Sequence, residues 1–504
     1  MVTLGSTETE LSEAAEAAQT PGSERFIRSS LGWRPLAERI ARRAERRVPA
    51  YREFIAQGEK PHAFTDRPLT SKDLYILRYP TSQLLADNHG EVFAIFRSSG
   101  ASGRAVYWPC HRGNARYAAW GMRRFLESCF AIHRSKTLAI VGVTLGSWVG
   151  GDEISWILKS VSLGARYSFS VFTPGNNYRE IIEIITEVEP RVDQIILFLC
   201  PSYVPYLQLV AESLGKTLPL SKLRYMLFGE PIPERVRMSL QARAGVPPHE
   251  AFMVSFYASA DTGMLGIESL ESIALRKLLT LNEGLASELG FSEPIPHLFH
   301  YCAPDAYLET IGGELCVTRW QGIPIVRYNL HDRVRMYRWR ALRKAVLKSN
   351  SIATRDEPLR EVIRKRRIIL PDLIAVEGRS DALILGANFT ESMFDEAVRT
   401  PALESVLTGT YKVRVGSHDN QQFLEFELEL RPGITLDAEA ADRVYDELVQ
   451  ALGRVQPEFR SDWENIYRAF DRDPSRRILQ VRWHPWPVLS RGLEALPKRS
   501  SIQR

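Results

Sequence analysis

The residues best suited to chemistry lie in the segment 96–109, FRSSGASGRAVYWP. Its central loop combines serine hydroxyls and two glycines with the guanidinium of Arg104. Glycines let a backbone turn sharply and approach a ligand, and successive free N–H groups in such a turn form a concave anion site. Hydroxyl donors and a permanent positive charge suit phosphate oxygens. The pattern predicts a strand, a phosphate-binding loop and a second strand. An ordinary Gly/Ser hairpin is the alternative. The loop is not the P-loop pattern, because no Gly-Lys-Ser/Thr closes it.

The composition is typical of a globular protein in a reducing compartment. At 504 residues the chain is too long for one simple core, so we expect two or three domains. Apolar residues make up 44% of the chain. The chain has no run of about 18 apolar residues, and the N-terminus does not have the pattern of a secretory signal. The five cysteines form no CxxC motif. The scattered cysteines predict a cytoplasmic protein, and the lack of a long apolar run predicts that it does not span a membrane. The mild net charge of +5 does not indicate nucleic-acid binding.

The elements that must position the loop alternate between strand and helix. An amphipathic helical pattern covers 31–57. After the loop, strands are predicted at 138–143, 167–171, 194–199 and 223–228, and helices at 114–130, 154–163, 178–187, 205–214 and 234–244. Such alternation is typical of parallel α/β units, whose ligands bind at the carboxyl ends of the strands. Three short segments fall at such ends, namely 200–203, 229–231 and 257–261.

A series of motifs in this order resembles the adenylate-forming (acyl-CoA synthetase) superfamily, and most closely its phenylacetate–CoA ligase branch. The motifs are VPAYREF with RPLTSKDL, SSGASGR, LFGEPIPERVR, YASAD, GGELCVT, RYNLHD and GRSD. The resemblance implies a large α/β N-terminal domain over residues 25–376 and a small, mobile α+β C-terminal lid over 377–504. The polar tail at 1–24 is expected to be disordered. The implied reaction is ATP-dependent activation of a carboxylic acid as an acyl-adenylate, with Mg²⁺, followed by transfer to CoA.

The resemblance also implies a nucleotide site. The loop residues that would hold the phosphates of ATP are Ser98, Ser99, Gly100, Ser102, Gly103 and Arg104. Adenine would be lined by Gly229, Glu230 and Pro231. Tyr257 would stack on the base, and Asp332 would accept both ribose hydroxyls. Asp261 stands where the family carries a magnesium-binding Glu.

Further residues would complete the reaction. Arg379 would lie near the ribose or the phosphates, and Asp381 sits at the family's hinge. Lys498, in LPKRSSIQR, is the candidate for the lysine that bridges the carboxylate and the α-phosphate; a frayed basic tail is the alternative. The acyl-pocket candidates are Trp148, Gly150, Tyr203 and Phe228. Their aromatic character favours an aryl acid.

Departures from the family pattern keep other functions open. In YASAD, Ala258, Ala260 and Asp261 replace the Gly, Ser/Thr and Glu of the family motif. One alternative is therefore an enzyme that delivers the acyl group to an amine, a carrier protein or another nucleophile. Another is a degenerate homologue that binds ligand without turnover. A structural zinc at His297, His300 and Cys302, and a homodimer, also remain open.

The segment 333–367 is strongly basic and looks like an insertion. We expect it to be a solvated loop, since charge runs are usually exposed. A second hypothesis is that it docks an acidic partner, such as an acyl-carrier protein or the phosphates of CoA.

Overall fold

The computed structural model of the chain describes residues 33–489, apart from 60, 87–91, 98–105, 147–148, 202, 293, 302, 304, 366–370, 380–382, 386, 390 and 419–420. Its strands are β1 (Val92–Arg97), β2 (Tyr107–His111), β3 (Thr137–Val141), β4 (Phe169–Phe172), β5 (Gln194–Leu199), β6 (Leu223–Leu227), β7 (Met253–Ser259), β8 (Gly263–Ile267), β9 (His297–Tyr301), β10 (Ala306–Ile311), β11 (Glu314–Arg319), β12 (Ile325–Tyr337), β13 (Leu373–Arg379), β14 (Leu383–Leu385), β15 (Ala387–Phe389), β16 (Leu407–His418), β17 (Gln421–Leu430) and β18 (Leu479–His484).

The α-helices alternate with these strands along most of the chain. They are Trp33–Arg47, Pro49–Ala56, Thr81–Leu84, Arg112–Cys129, Ile154–Gly164, Tyr178–Val188, Tyr203–Ser213, Glu234–Arg243, Leu270–Leu281, Glu283–Glu288, Trp339–Lys348, Glu357–Lys365, Glu391–Val398, Pro401–Glu404, Ala438–Val455 and Pro457–Asn465. Within the described ranges, every helix is too short or too polar to cross a lipid bilayer.

An 11-stranded sheet in the order β10-β11-β12-β13-β9-β8-β7-β6-β5-β3-β4 organises the molecule. The pairs β4–β3, β3–β5, β5–β6 and β6–β7 are parallel, whereas the pairs from β7 through β8, β9, β13, β12 and β11 to β10 are antiparallel. All residues of β3 and β5 are buried, as expected for parallel strands covered by helices on both faces. The predicted α/β class is confirmed.

The hairpin of β1 and β2 is antiparallel, with Phe96 opposite Trp108. The two strands predicted around the Gly/Ser segment are therefore confirmed, while the loop between them lies outside the described residues. The single helical pattern at 31–57 is divided into two helices at Val48, whose backbone is extended with φ −114°. The residue that precedes a proline is pushed out of helical geometry, and Pro49 follows Val48.

The expectation of a basic loop at 333–367 is wrong. Strand β12 continues to Tyr337, and the helices Trp339–Lys348 and Glu357–Lys365 follow it. These helices bury Leu342, Val346, Leu359 and Ile363 in a core that they share with the helix Leu270–Leu281. The sequence contains these apolar residues at helical spacing, but the many arginines and lysines between them concealed the pattern.

The C-terminal part contains a three-stranded sheet in the order β16-β17-β18 and a two-stranded hairpin of β14 and β15. The helix Ala438–Val455 buries Val444, Leu448 and Leu452 at a spacing of one helical turn. Their core is continuous with that of the parallel half of the large sheet. The division of the chain at residue 376 stays a prediction, because β13 belongs to the large sheet up to Arg379.

Candidate functional site

Three segments meet where the parallel strands end. Cys200 and Pro201 follow β5, Gly229 lies two residues after the end of β6, and the segment 257–261 contains the end of β7 and the start of the turn that follows it. Since β5, β6 and β7 are neighbours and parallel, their carboxyl ends share one edge of the sheet. This edge is where open α/β sheets bind ligands.

The first wall of the site is the turn that contains Gly229, Glu230 and Pro231. Gly229 has a φ of +84°, and a side-chain carbon built on it would lie 3.4 Å from the sulfur of Cys200. Only glycine adopts this backbone conformation without strain. Glu230 is buried with 7% of its surface exposed. The turn therefore has a defined shape and stays close to the end of β5.

A histidine on β9 contacts the backbone of this turn. The Nε2 atom of His297 lies 3.0 Å from the amide nitrogen and 2.8 Å from the carbonyl oxygen of Ile232. Burial, and then the charges of Arg276 and Arg237, hold the pKa of His297 well below its usual value. The ring is therefore neutral at physiological pH. His300 is engaged elsewhere, since its Nδ1 lies 2.7 Å from the carbonyl oxygen of Pro371.

Buried ion pairs connect the turn to β7. The guanidinium of Arg237 lies 2.7 Å from a carboxylate oxygen of Glu268 and 3.4 Å from Glu234. Arg276 pairs with Glu234 at 3.1 Å, and its guanidinium also donates to the Ile232 carbonyl at 2.9 Å. The second oxygen of Glu268 accepts from the amide of Ser255 at 2.7 Å, two residues before Tyr257. Such a network fixes its members because each buried charge needs its partner.

The second wall is formed by Tyr257, Asp332 and Arg379. The Tyr257 hydroxyl donates a hydrogen bond to Asp332, and the Nε atom of Arg379 lies 4.0 Å from the other oxygen of that carboxylate. Asp332 on β12 and Arg379 on β13 are direct partners across the ladder. Burial, followed by the Asp332 charge, raises the pKa of Tyr257 well above its usual value, so its hydroxyl remains a donor. One face of the Tyr257 ring stacks on Phe299 at 5.7 Å.

A second tyrosine–aspartate pair lies beside the first. The Tyr328 hydroxyl on β12 donates to the Asp261 carboxylate, and Gln321 donates to the Asp261 carbonyl oxygen at 2.5 Å. Among the described residues, no three or more His, Cys, Asp or Glu side chains gather as a metal site. Mg²⁺ in nucleotide sites is usually held by one or two carboxylates together with phosphates, so a single half-buried carboxylate such as that of Asp261 fits it.

An apolar cleft adjoins the second wall. It encloses about 1050 Å³, counting the part open to solvent, between the β1–β2 hairpin, the helix Arg112–Cys129 and β8. Ala260 and Gly263, at the turn that follows Tyr257, also line it. The turn 257–263 is therefore common to the cleft and to the Tyr257–Asp332 wall. Clefts of this size and character suit small organic ligands.

Tyr203 lies apart from the cleft and faces the C-terminal helix Pro457–Asn465. Its hydroxyl donates to the carboxylate of Asp462 at 2.5 Å, and Asn176 donates to the same carboxylate at 3.4 Å. Tyr203 and Asp462 are 3% and 1% exposed. Burial raises the pKa of Asp462 to about 7, although the bonds from Tyr203 and Asn176 oppose it. This contact joins the C-terminal part to the end of β5.

The structure brings together only some of the residues predicted from sequence. Tyr257, Asp332, Arg379 and Asp261 share one region. Gly150 and Phe228 are neighbours, because a side-chain carbon on Gly150 would lie 3.6 Å from the Phe228 ring, and that ring stacks on Phe256 at 4.9 Å. The predicted residues outside the described part of the chain are Ser98, Ser99, Gly100, Ser102, Gly103, Arg104, Trp148, Asp381 and Lys498.

Comparison with known proteins gives a fold and no closer relationship. No family model and no curated protein matches the chain. A 2-hydroxyisobutyryl-CoA ligase, crystallised with 2-HIB-AMP and CoA in the thioesterification state, matches at a TM-score of 0.60 and 14% identity, covering 94% of this chain and 90% of that one. An acyl acid amido synthetase in complex with 2,4-DB matches at 0.43 and 13% identity, covering 95% and 89%.

The chain therefore shares the fold of the 2-hydroxyisobutyryl-CoA ligase, in agreement with the fold that the motifs predicted. The phenylacetate–CoA ligase branch stays a prediction. Sequence analysis missed the support around the site, namely the ion pairs of Arg237 and Arg276 and the contact of His297 with Ile232. Several charged residues on the helices Glu234–Arg243 and Leu270–Leu281 are buried. This burial is visible only in the three-dimensional structure.

Proposed function

We propose that this chain activates a carboxylic acid with ATP. A carboxylate oxygen attacks the α-phosphorus of ATP, the bond to the bridging oxygen of the β-phosphate breaks, and pyrophosphate leaves. The acyl-adenylate then reacts with the thiol of CoA: the sulfur bonds to the acyl carbon, AMP leaves and the thiol proton passes to solvent. Catalysis of this kind depends on positioning and on neutralising phosphate charge.

The observation that carries the proposal is the turn 257–263, which borders both the Tyr257–Asp332 wall and the apolar cleft. A mixed anhydride of an acid and AMP needs a polar half-site and an apolar half-site in direct contact. Asp332 has the acceptor oxygens that ribose hydroxyls need, and Tyr257 orients them. The turn with Gly229, Glu230 and Pro231 offers a close-fitting surface for adenine.

The cleft favours an aryl acid as substrate. Four aromatic side chains contribute to its lining, namely those of Phe96, Trp108, Tyr117 and Phe125. Flat rings stack favourably on such walls. The acid would enter with its carboxylate toward Ala260, and therefore toward the predicted nucleotide.

Charge neutralisation would come from three sources. The serines and Arg104 of the 98–104 loop would bind the terminal phosphates, and Arg379 would face the ribose or the phosphates. Asp261 would hold Mg²⁺, which when bound neutralises phosphate charge. Lys498 would bridge the attacking carboxylate and the α-phosphate, and Asp381 would serve as the hinge of the C-terminal lid.

ATP–pyrophosphate exchange tests adenylation. The purified protein is assayed with aryl, aliphatic and amino acids, beside a Lys498→Ala variant and a matched Arg499→Ala control. We expect exchange with one class of acid, lost in Lys498→Ala and retained in Arg499→Ala. Exchange that survives in both variants would remove Lys498 from the mechanism. Absence of exchange with every acid would favour the degenerate, non-catalytic alternative.

A second candidate concerns the acceptor. The helix Trp339–Lys348 exposes Arg340, Lys344 and Lys348, and Arg338 is exposed just before it. This basic surface favours an acidic acceptor over an amine. Acceptors of this kind are a carrier protein and CoA, whose phosphates form a smaller acidic group. Reversing these four charges to Glu should lower transfer to the acceptor and leave ATP–pyrophosphate exchange unchanged. Unchanged transfer to CoA and to carrier proteins would exclude this surface.

A further inference from the structure

The apolar cleft contains one carboxyl group that the proposed reaction does not use. Glu153 lines the cleft from the end of the π-helical turn Val149–Glu153. Around it the lining is largely apolar, with Phe96, Trp108, Met122, Phe125 and Met264. A carboxyl group is costly in such surroundings, so its position calls for a partner.

The described residues supply no such partner. Among them, Glu153 makes neither a hydrogen bond nor an ion pair, and its side chain is half-buried. Burial raises the pKa of Glu153 to about 7, with the more distant charge of Arg319 acting in the opposite direction. The group therefore keeps acceptor capacity on the cleft side, whether it is ionised or neutral.

The nearby polar groups are engaged or uncharged. Arg319 donates to the Asp305 carboxylate at 3.0 Å and lies 2.9 Å from it through a second nitrogen. It also donates to the carbonyl oxygen of Thr262 at 2.6 Å. Burial, and then the charge of Glu153, raise the pKa of Cys110 to about 12, so this thiol is uncharged and only a weak donor. Neither residue neutralises Glu153.

We infer that Glu153 binds a hydrogen-bond donor on the acyl part of the substrate, so that the enzyme selects acids carrying a hydroxyl or amino group over plain hydrocarbon acids. This inference rests on the proposed function and names its substrate class. The remainder of the acid would contact the apolar walls, and its donor would bond to the Glu153 carboxyl group.

The expected selectivity follows from the hydrogen bond. A bond to a charged group, compared with leaving that group unpaired, changes affinity by about 10- to 100-fold. A substrate that lacks the donor leaves the carboxyl desolvated without compensation. Sites of this kind reject the analogue without the donor more strongly than apolar pockets reject an extra hydroxyl.

The test uses three para-substituted phenylacetates, namely para-hydroxyphenylacetate, para-(aminomethyl)phenylacetate and para-methylphenylacetate. Exchange kinetics and calorimetric binding are measured for the wild type, Glu153→Gln, Glu153→Leu and the matched control Asp152→Asn, whose carboxylate is exposed on the same turn. Thermal unfolding midpoints check that each variant is folded.

We expect the wild type and Asp152→Asn to prefer the hydroxy or the aminomethyl acid over the methyl acid by about tenfold or more. Glu153→Leu should reverse this order, and Glu153→Gln should keep a preference for the hydroxy acid alone, because the amide accepts a hydrogen bond but carries no charge. Whichever of the two donor acids the wild type prefers shows whether Glu153 binds a neutral hydroxyl donor or a cationic ammonium donor.

Two results would overturn the inference: equal use of the three acids by the wild type, or an order that Glu153→Leu leaves unchanged. If exchange is absent with every acid, the proposed function fails, and the calorimetric order still decides the role of Glu153. If no acid binds in either assay, the inference fails as well.

Discussion

Asp332 accepts a hydrogen bond from the Tyr257 hydroxyl, although the two residues lie 75 positions apart in the chain. The bond spans from β12 to β7, which are separated in the sheet by β13, β9 and β8. The bond forms because the end of β7 and the middle of β12 both reach the candidate nucleotide site. The carboxylate keeps its second oxygen toward Arg379, at 4.0 Å.

Replacing Asp332 by Asn should weaken nucleotide binding. Hydrogen bonds to a charged group are worth about 1.5–3 kcal/mol, so the KM for ATP should rise about 10- to 100-fold. Tyr257→Phe removes one donor and should raise the KM less, by about fivefold. Tyr445→Phe, whose hydroxyl donates to Asp471 in the C-terminal part, is the control and should leave the KM unchanged. An unaltered KM in Asp332→Asn would remove this residue from the nucleotide site.

Filling the cleft should block the acid and spare the nucleotide. Gly121 lines the cleft on the helix Arg112–Cys129, and a side-chain carbon built there meets no atom within 4 Å. Gly121→Leu should therefore raise the KM for the acid about tenfold or more without lowering stability, because leucine also favours the helix. Gly113→Leu is the matched control, since Gly113 is exposed on the same helix with equal space. A normal acid KM in Gly121→Leu would show that the acid binds elsewhere.

The buried ion pair of Arg237 and Glu268 should be important for stability. Glu268→Gln leaves the Arg237 guanidinium, 1% exposed, without its close carboxylate at 2.7 Å. Breaking a buried pair typically costs about 3–5 kcal/mol in the free energy of unfolding. Glu439→Gln breaks the exposed pair with Arg443 and should cost less than about 0.5 kcal/mol. Urea unfolding measures both, and equal effects would contradict a special role for the buried pair.

The contact of Asp462 with Tyr203 should make stability depend on pH. Burial raises the pKa of Asp462 to about 7, whereas an unfolded Asp titrates near about 3.9. Between these values the folded chain binds more protons, so the contribution of Asp462 to the free energy of unfolding falls as the pH rises from about 4 to about 7. Above about pH 7 it is constant.

Glu458, on the same helix, acts in the same direction. Burial and then the nearby charge of Asp462 raise the pKa of Glu458 to about 8, while Lys72 opposes this. His297 acts in the opposite direction below about pH 6.5, because its pKa is lowered in the fold. The quantity to measure is therefore the difference between the wild type and Asp462→Asn in urea unfolding at pH 5 and pH 8. We expect the variant to lose less stability over this interval, and the exposed Asp446→Asn to behave like the wild type.

Local patterns were sufficient to predict the parallel half of the fold. The apolar runs of β3, β5 and β6, each followed by a helix, indicate strand and helix without reference to distant residues. Tyr257 and Asp332 were identified differently, through the resemblance of the motifs YASAD and RYNLHD to a known family, and their roles stay predictions.

Long-range pairing could not be predicted in this way. Strand β13 lies between β12 and β9, a position set by packing rather than by any signal in its own seven residues. The environment of Glu153 depends on Arg319 being already bound to Asp305, which local sequence does not reveal. The helices at 339–348 and 357–365 were missed because they contain more charged residues than buried apolar ones.

The ladder step between Asp332 and Arg379 has a mechanical consequence. Arg379 is the last residue of β13, so the same step that completes the candidate ribose site is also where the chain leaves the large sheet for the C-terminal hairpin. A ligand that binds Asp332 therefore contacts the ladder partner of the residue at which the chain leaves the large sheet. By the reciprocity of coupled equilibria, if an arrangement of the C-terminal sheets changes the affinity of that ligand by some factor, the bound ligand changes the population of that arrangement by the same factor.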